Sequence, residues 1–153
     1  MTISAICSRD TVAIPRTETV IDAARLMRKH HVGSLVIVED NAQGRKVPVG
    51  IITDRDITVS VTALGLDPVT ITVNEVMGES VVCANENAGI AETVALMRAR
   101  GVRRLPVVND SGTLTGMIAA DDLLALLAEE LSGLADSVTR EQQHERETRR
   151  SGA

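Results

Sequence analysis

The chain has 153 residues, a formal net charge of −5, 44% apolar and 24% charged residues, and no Phe, Trp or Tyr; that is one ordinary domain, or two small ones sharing a core. Without aromatic rings it lacks the stacking platforms of single-strand binders, and its acidity opposes phosphate backbones, so nucleic acid is excluded as a partner. No run approaches the roughly 18 apolar residues of a membrane span, and the N-terminus lacks a basic, apolar leader, which predicts a cytoplasmic protein with no membrane partner.

In chain order, a short extended segment, Val12 to Ile14, leads to a helix with Thr17 as the expected N-cap. Val20, Ala23, Ala24 and Met27 fall at i, i+3, i+4 and i+7, with Arg25, Arg28 and Lys29 on the other side. His30 and His31 close that helix; adjacent histidines point in different directions, so they predict no metal site. Leu35 to Val38 is too continuously apolar to have a solvated face and predicts an interior strand. Glu39 to Pro48 reads as a flexible surface loop. A second strand then ends at Gly50-Ile51-Ile52-Thr53-Asp54-Arg55-Asp56, and a helical segment follows from Ile57 to Leu64. Cys7 and Cys83 have no CxxC spacing and predict buried, reduced thiols.

Residues 3–40 map onto 73–110 at a constant offset of 70, as in Val20/Ile90, Leu26/Leu96, Met27/Met97, Leu35/Leu105 and Ile37/Val107. The register resumes at an offset of 66, with Gly50/Gly116, Ile52/Ile118 and Asp56/Asp122. The chain is an internal duplication. Its second copy predicts an extended segment at Val81 to Cys83, a helix capped by Asn87 with Ile90, Thr93, Val94 and Met97 on one face, a strand at Leu105 to Val108, and a tight turn at Asn109-Asp110-Ser111-Gly112. Gly65 to Thr72, with Asp67-Pro68, joins the copies. The last helix, from Asp121 to Leu131, is apolar on more than one face and needs a partner beyond its own sheet, most simply another copy of itself. Thr139 to Ala153 is polar and reads as either a frayed, solvated helix or disorder.

The junction at Thr53 to Asp56 has two readings. A hydroxyl or carboxylate at a helix start routinely caps it; the same groups, beside free N–H groups and a positive helix end, suit a ligand with ribose hydroxyls and an anion. No nucleophile–base pair, P-loop or metal set accompanies them, so no enzyme is predicted and no metal is required.

These features together resemble a tandem pair of CBS (cystathionine-β-synthase-like) domains, a Bateman module of the stand-alone bacterial type. The resemblance covers residues 1–131 and rests on the duplicated strand-helix-strand-strand-helix order, on Val102-Arg103-Arg104-Leu105-Pro106-Val107-Val108, and on the Gly50–Asp56 motif. It implies an α+β fold of two CBS repeats with pseudo-two-fold symmetry, residues 1–66 and 67–131, their sheets packed against helices, followed by a polar tail, 132–153. It further implies a regulatory module binding an adenine nucleotide (AMP, ADP, ATP or NAD, or S-adenosylmethionine) in the cleft between repeats. Asp56 would hold ribose, Thr53 would contact phosphate, and Asp54 lies within the same motif. Arg103, Arg104 and Arg55 are candidates for the phosphate, and Ile14, Val32 and Ile52 for walls around adenine. Asp122 survives in the second copy, but Ala119 replaces the hydroxyl, a loss of roughly 1.5–3 kcal/mol. A homodimer built on the helices after the junctions is implied, as is an unidentified regulated protein. The alternative is an interaction module that binds no nucleotide.

Overall fold

The computed structural model describes residues 1–151. Each repeat forms a three-stranded sheet. In the first, β1 (Ala13–Pro15) runs parallel to β2 (Ser34–Asp40), with α1 (Val20–His30) as the crossover, and β2 pairs antiparallel with β3 (Lys46–Thr53). In the second, β4 (Ala84–Asn85), α4 (Ile90–Arg100), β5 (Arg104–Val108) and β6 (Leu114–Ala119) repeat the arrangement. Between the sheets in sequence come α2 (Asp54–Ile57), a π-helical turn (Thr58–Thr62) and α3 (Val73–Val76); α5 (Ala120–Ser151) closes the chain. Residues 1–119 form one compact unit and α5 belongs to a second. The mixed α+β architecture and the duplicated element order are those read from the sequence.

The core follows the hydrophobic pattern. Every residue from Ser34 to Val38 is buried, whereas β3 alternates, with Pro48, Gly50 and Ile52 inward. Ile14, Ala23, Met27, Leu35, Ile37, Ile52 and Val73 make the first core. Both repeats carry a register shift at the same place, after Ile37 and after Val107, so the duplication preserved even its irregularity.

Several sequence expectations are corrected. The cap of α1 is Thr19, not Thr17: its Oγ1 accepts the Asp22 N–H at 3.4 Å and donates to Asp22 Oδ2 at 2.6 Å, because the residue just before the first buried helical position is the one with free N–H groups in reach. Gly89, not Asn87, precedes α4; the Asn87 N–H is taken instead by Asn85 Oδ1. The extended segment expected at Val81 to Cys83 pairs only at Ala84–Asn85. Val94 is 40% exposed, while Thr93 is buried and donates its hydroxyl to the Gly89 carbonyl at 2.9 Å. The loop expected over Glu39 to Pro48 shrinks to 41–45, since β2 and β3 extend to Asp40 and Lys46, and Asn41 Oδ1 ties it by accepting from the Gln43 and Arg45 N–H groups. Both cysteines are free but half-buried rather than buried. Burial pushes the Cys83 thiol up, which keeps it protonated. The last helix runs to Ser151 rather than Leu131, so the polar tail is helical through residue 151 and its final two residues lie outside the described residues.

The lead-in to each repeat is bonded to the other repeat. Ile3 and Ser4 donate backbone N–H groups to Ala88 and Glu86, and Ser8 and Met117 exchange two backbone hydrogen bonds of 2.9 Å. Symmetrically, Val73 donates to Glu18, Val20 donates to Ile71, and Val73 enters the first core. The crossings fit because β3 and β6 each have a glycine beneath them. A Cβ on Gly50 would lie 2.6 Å from Met77 Sδ, and one on Gly116 would lie 2.7 Å from the Ser8 carbonyl oxygen.

Two predictions follow from this packing. Methionine can swing aside whereas backbone cannot, so in urea denaturation Gly50→Ala costs about 1 kcal/mol and Gly116→Ala about 3 kcal/mol, the two ends of the usual overpacking range. The second concerns capping carboxylates. Hydrogen bonds from Thr19 hold Asp22, and those from the backbone and hydroxyl of Thr72 hold Glu75, below their ordinary values. Carboxylates whose folded pKa is depressed stabilise the fold above the unfolded pKa and lose that contribution as pH falls through the folded value. The melting temperature will therefore hold down to the ordinary carboxylate range near pH 4 and drop below it, and Glu75→Gln, which does not titrate, will shallow the drop.

Candidate functional site

Strand β3 delivers the junction. Its period of two turns Ile52 into the core at 0% exposure and places Ile51 and Thr53 on the opposite face. Thr53 then starts α2 through a reciprocal capping box: its Oγ1 accepts the Asp56 N–H at 3.1 Å, and Asp56 Oδ2 accepts the Thr53 N–H at 2.9 Å. The capping reading is thus realised, yet it uses one acceptor on each side chain. Thr53 keeps a hydroxyl proton to donate and Asp56 keeps its second carboxylate oxygen, the two capacities that phosphate and ribose contacts require. Both residues are half-buried. Asp54 donates its N–H to the Gly33 carbonyl and accepts from the Arg55 N–H at 2.8 Å; the side chains of Asp54 and Arg55 are exposed.

The second junction is built differently. Across β5 and β6, Arg104 stands opposite Ala119, where the first repeat has Ser34 opposite Thr53. A hydroxyl pair in one copy is a guanidinium and a methyl group in the other. Arg103 is exposed, and Asp122 lies exposed in the first turn of α5.

A cleft of about 150 Å³ opens between the repeats, with Ile51 from the first and Val81, Val82, Val102, Arg104 and Leu105 among those from the second. Its walls are aliphatic and its cation is Arg104. Thr53 and Asp56 do not line it, so Arg104 is placed with the second repeat's junction rather than across from the first. By the duplication, Val12, Val32 and Ser34 correspond to Val82, Val102 and Arg104, and Met117, held by its bridge to Ser8, corresponds to Ile51. Of the adenine-wall candidates, Ile14 and Ile52 lie in the core, at 1% and 0% exposure. Ile14 reaches only the floor of a shallow depression of about 350 Å³ beside α1. Val32 is partly buried against the same core. Ile51 was missed in the sequence, although strict alternation along β3 pointed to it. Among the described residues no group of three or more His, Cys, Asp or Glu side chains gathers as a metal site, and no helix is long and apolar enough to cross a membrane.

A family model for the CBS domain matches residues 3–62 and again 73–129, and the chain belongs to the CBS-domain family, as a tandem pair. Such pairs are regulatory modules. YhcV of Bacillus subtilis, a CBS domain-containing protein, is 42% identical over 106 residues, covering 69% of this chain and 71% of that protein. MK0525 of Methanopyrus kandleri is 35% identical over 124 residues, covering 81% of this chain, and this chain spans 61% of that protein's length. Among solved structures, Hypoxic Response Protein I with two coordinated zinc ions is 33% identical, with a TM-score of 0.70 and coverage of 82% of this chain and 98% of that one. PAE2072 of Pyrobaculum aerophilum, complexed with AMP, is 26% identical, with a TM-score of 0.72 and coverage of 84% and 99%.

The capping box gives a test of the local geometry that is independent of any ligand. Thr53→Ala removes the acceptor for the Asp56 N–H and will cost about 1 kcal/mol of stability, while Thr53→Ser will retain most of it, as read from urea midpoints.

Proposed function

We propose that this chain is a cytoplasmic regulatory sensor that binds an adenine nucleotide between its two repeats without needing a metal. The observation that carries this reading is the Thr53–Asp56 junction, where a hydroxyl proton and a carboxylate oxygen stay available beside a helix start. The AMP complex of a structurally similar relative supports it. Asp56 takes the ribose hydroxyls and Thr53 donates to phosphate; with no aromatic ring in the chain, the base rests on aliphatic side chains. The Arg104 cleft is a second, weaker place, with Arg103 and Arg55 in supporting roles. Occupancy favours one relative arrangement of the repeats, and a homodimer or a regulated partner reads that arrangement by linkage.

Titration calorimetry in chelator-treated buffer against AMP, ADP, ATP, NAD and S-adenosylmethionine tests the proposal. One compound will bind with a micromolar Kd near one per chain, and Asp56→Ala will weaken it by about tenfold or more, the loss expected of a hydrogen bond to a charged group. Arg104→Ala will leave this event intact; loss in Arg104→Ala alone moves the site to the second cleft. No heat from any of the five, with folded protein free of carried-over nucleotide, favours an interaction module. The capping box at Thr53 and Asp56 would then be purely structural.

A further inference from the structure

The two crossings that tie the repeats together are closed to different degrees. Ser8 and Met117 exchange two backbone hydrogen bonds of 2.9 Å, so the lead-in to the first repeat adds one rung to the edge of β6. By the offsets of 70 and 66 the corresponding pair is Gly78 and Ile51, and no hydrogen bond joins them. Ile51 is equipped for one. Its partner on β2 is Val36, whose N–H turns the other way and donates to the Val12 carbonyl at 3.1 Å; two residues opposed in this fashion both point their backbone groups away from the edge they share. The Ile51 N–H and C=O therefore face the cleft, as those of Met117 face Ser8.

Two differences between the copies account for the open pair. Pro106 stands where the first repeat has Val36, and without an N–H it cannot donate to the Val82 carbonyl as Val36 donates to Val12. Pairing in the second sheet accordingly starts at Ala84, one position later than in the first, where Ala13 corresponds to Cys83. Met77 stands where the first repeat has Cys7. A Cβ on Gly50 would meet the Cβ, Cγ and Sδ of Met77, whereas one on Gly116 would meet the Ser8 carbonyl oxygen first and Cys7 Sγ second. The longer side chain holds the backbone that follows it off β3. Among the described residues, no backbone N–H from Gly78 to Cys83 has a backbone acceptor, and a Cβ on Gly78 would meet nothing within 4 Å. This untied stretch supplies Gly78, Ser80, Val81 and Val82 to the cleft that Ile51 lines from the first repeat.

We propose that residues 78–83 form a strap that closes the inter-repeat cleft by pairing Gly78 with Ile51, as Ser8 pairs with Met117. Two exposed backbone hydrogen bonds are set against the ordering of a few residues, terms of similar size, so the open form of the structure and the closed form exchange. In the closed form the strap crosses to β3 and leaves no room for an occupant, and an occupant holds the strap open. The inference concerns access to the Arg104 cleft and holds whichever compound enters it, nucleotide or not. Amide hydrogen exchange of the full chain, resolved by NMR, tests it, with Met117 as internal standard. Met77→Cys, which installs the residue of the first repeat, will slow exchange at Ile51 by about tenfold relative to Met117. Adding Gly78→Pro, which removes the donor to the Ile51 carbonyl, will abolish that slowing; proline suits the position because Met77 is already extended at φ −64° and ψ 153°. In a chain whose own cysteines are replaced by serine, Ile51→Cys with Gly78→Cys will form an intrachain disulfide about tenfold faster than Ile51→Cys with Ser80→Cys. Unchanged exchange at Ile51 in Met77→Cys overturns the inference, as does slowing that survives Gly78→Pro. If Met77→Cys unfolds, seen as rapid exchange at Met117 as well, the cross-linking rates decide, and equal rates overturn it.

Discussion

Two positions without side chains, Gly50 and Gly116, set how the repeats fit together. Each lies inward on the strand that leads to a junction, and each is crossed by the segment that introduces the other repeat, closely enough that any Cβ would overlap Met77 or the Ser8 backbone. The crossing carries Val73 into the first core and ties Ser8 to Met117. Those contacts hold β3 and β6 in register and leave Ile51 facing the second repeat across the cleft. A substituent at either glycine would therefore reach beyond local packing to the inter-repeat geometry.

The Thr53–Asp56 box bears on how such a site could recognise a nucleotide at modest cost. Both side chains are already fixed by the helix start they cap, so ligand contacts from their remaining capacity would not have to order them again. Capping and the proposed binding would be complementary uses of the same two residues. In the second copy Ala119 forgoes this arrangement, and Arg104 brings charge to the equivalent place.

Most of the fold was legible because it rests on period and repetition: the continuous apolar run of β2, the i, i+3, i+7 face of α1, and the offsets of 70 and 66. The cap of α1 was misplaced by two residues because Thr17 and Thr19 carry the same chemistry, and only the first buried turn at Val20 distinguishes them. The loop after β2 seemed long because Lys46 and Val47, a charged and a half-buried residue on a hairpin end, have no periodic signature of their own. At the junction, the motif pointed to Thr53 and Asp56 as candidates, but telling the cleft-facing Ile51 from the core residue Ile52 needed the phase of the strand, and the position of Arg104 needed the pairing of β5 with β6. The extent of α5 was hidden by its composition, since a polar segment rich in Glu and Arg is compatible with helix or coil.

The exchange of lead-in segments also changes what half of this chain would be. A lone first repeat lacks the backbone partners of Glu18 and Val20 and the core residue Val73, and a lone second repeat lacks those of Glu86, Ala88 and Met117, all of which its twin supplies. Two separate copies could complete one another by trading those segments, as subunits do in a domain-swapped pair. The tandem chain is then the covalent form of such a swap. A covalent link makes that exchange independent of concentration, and the two halves differ, one carrying hydroxyls where the other carries a guanidinium.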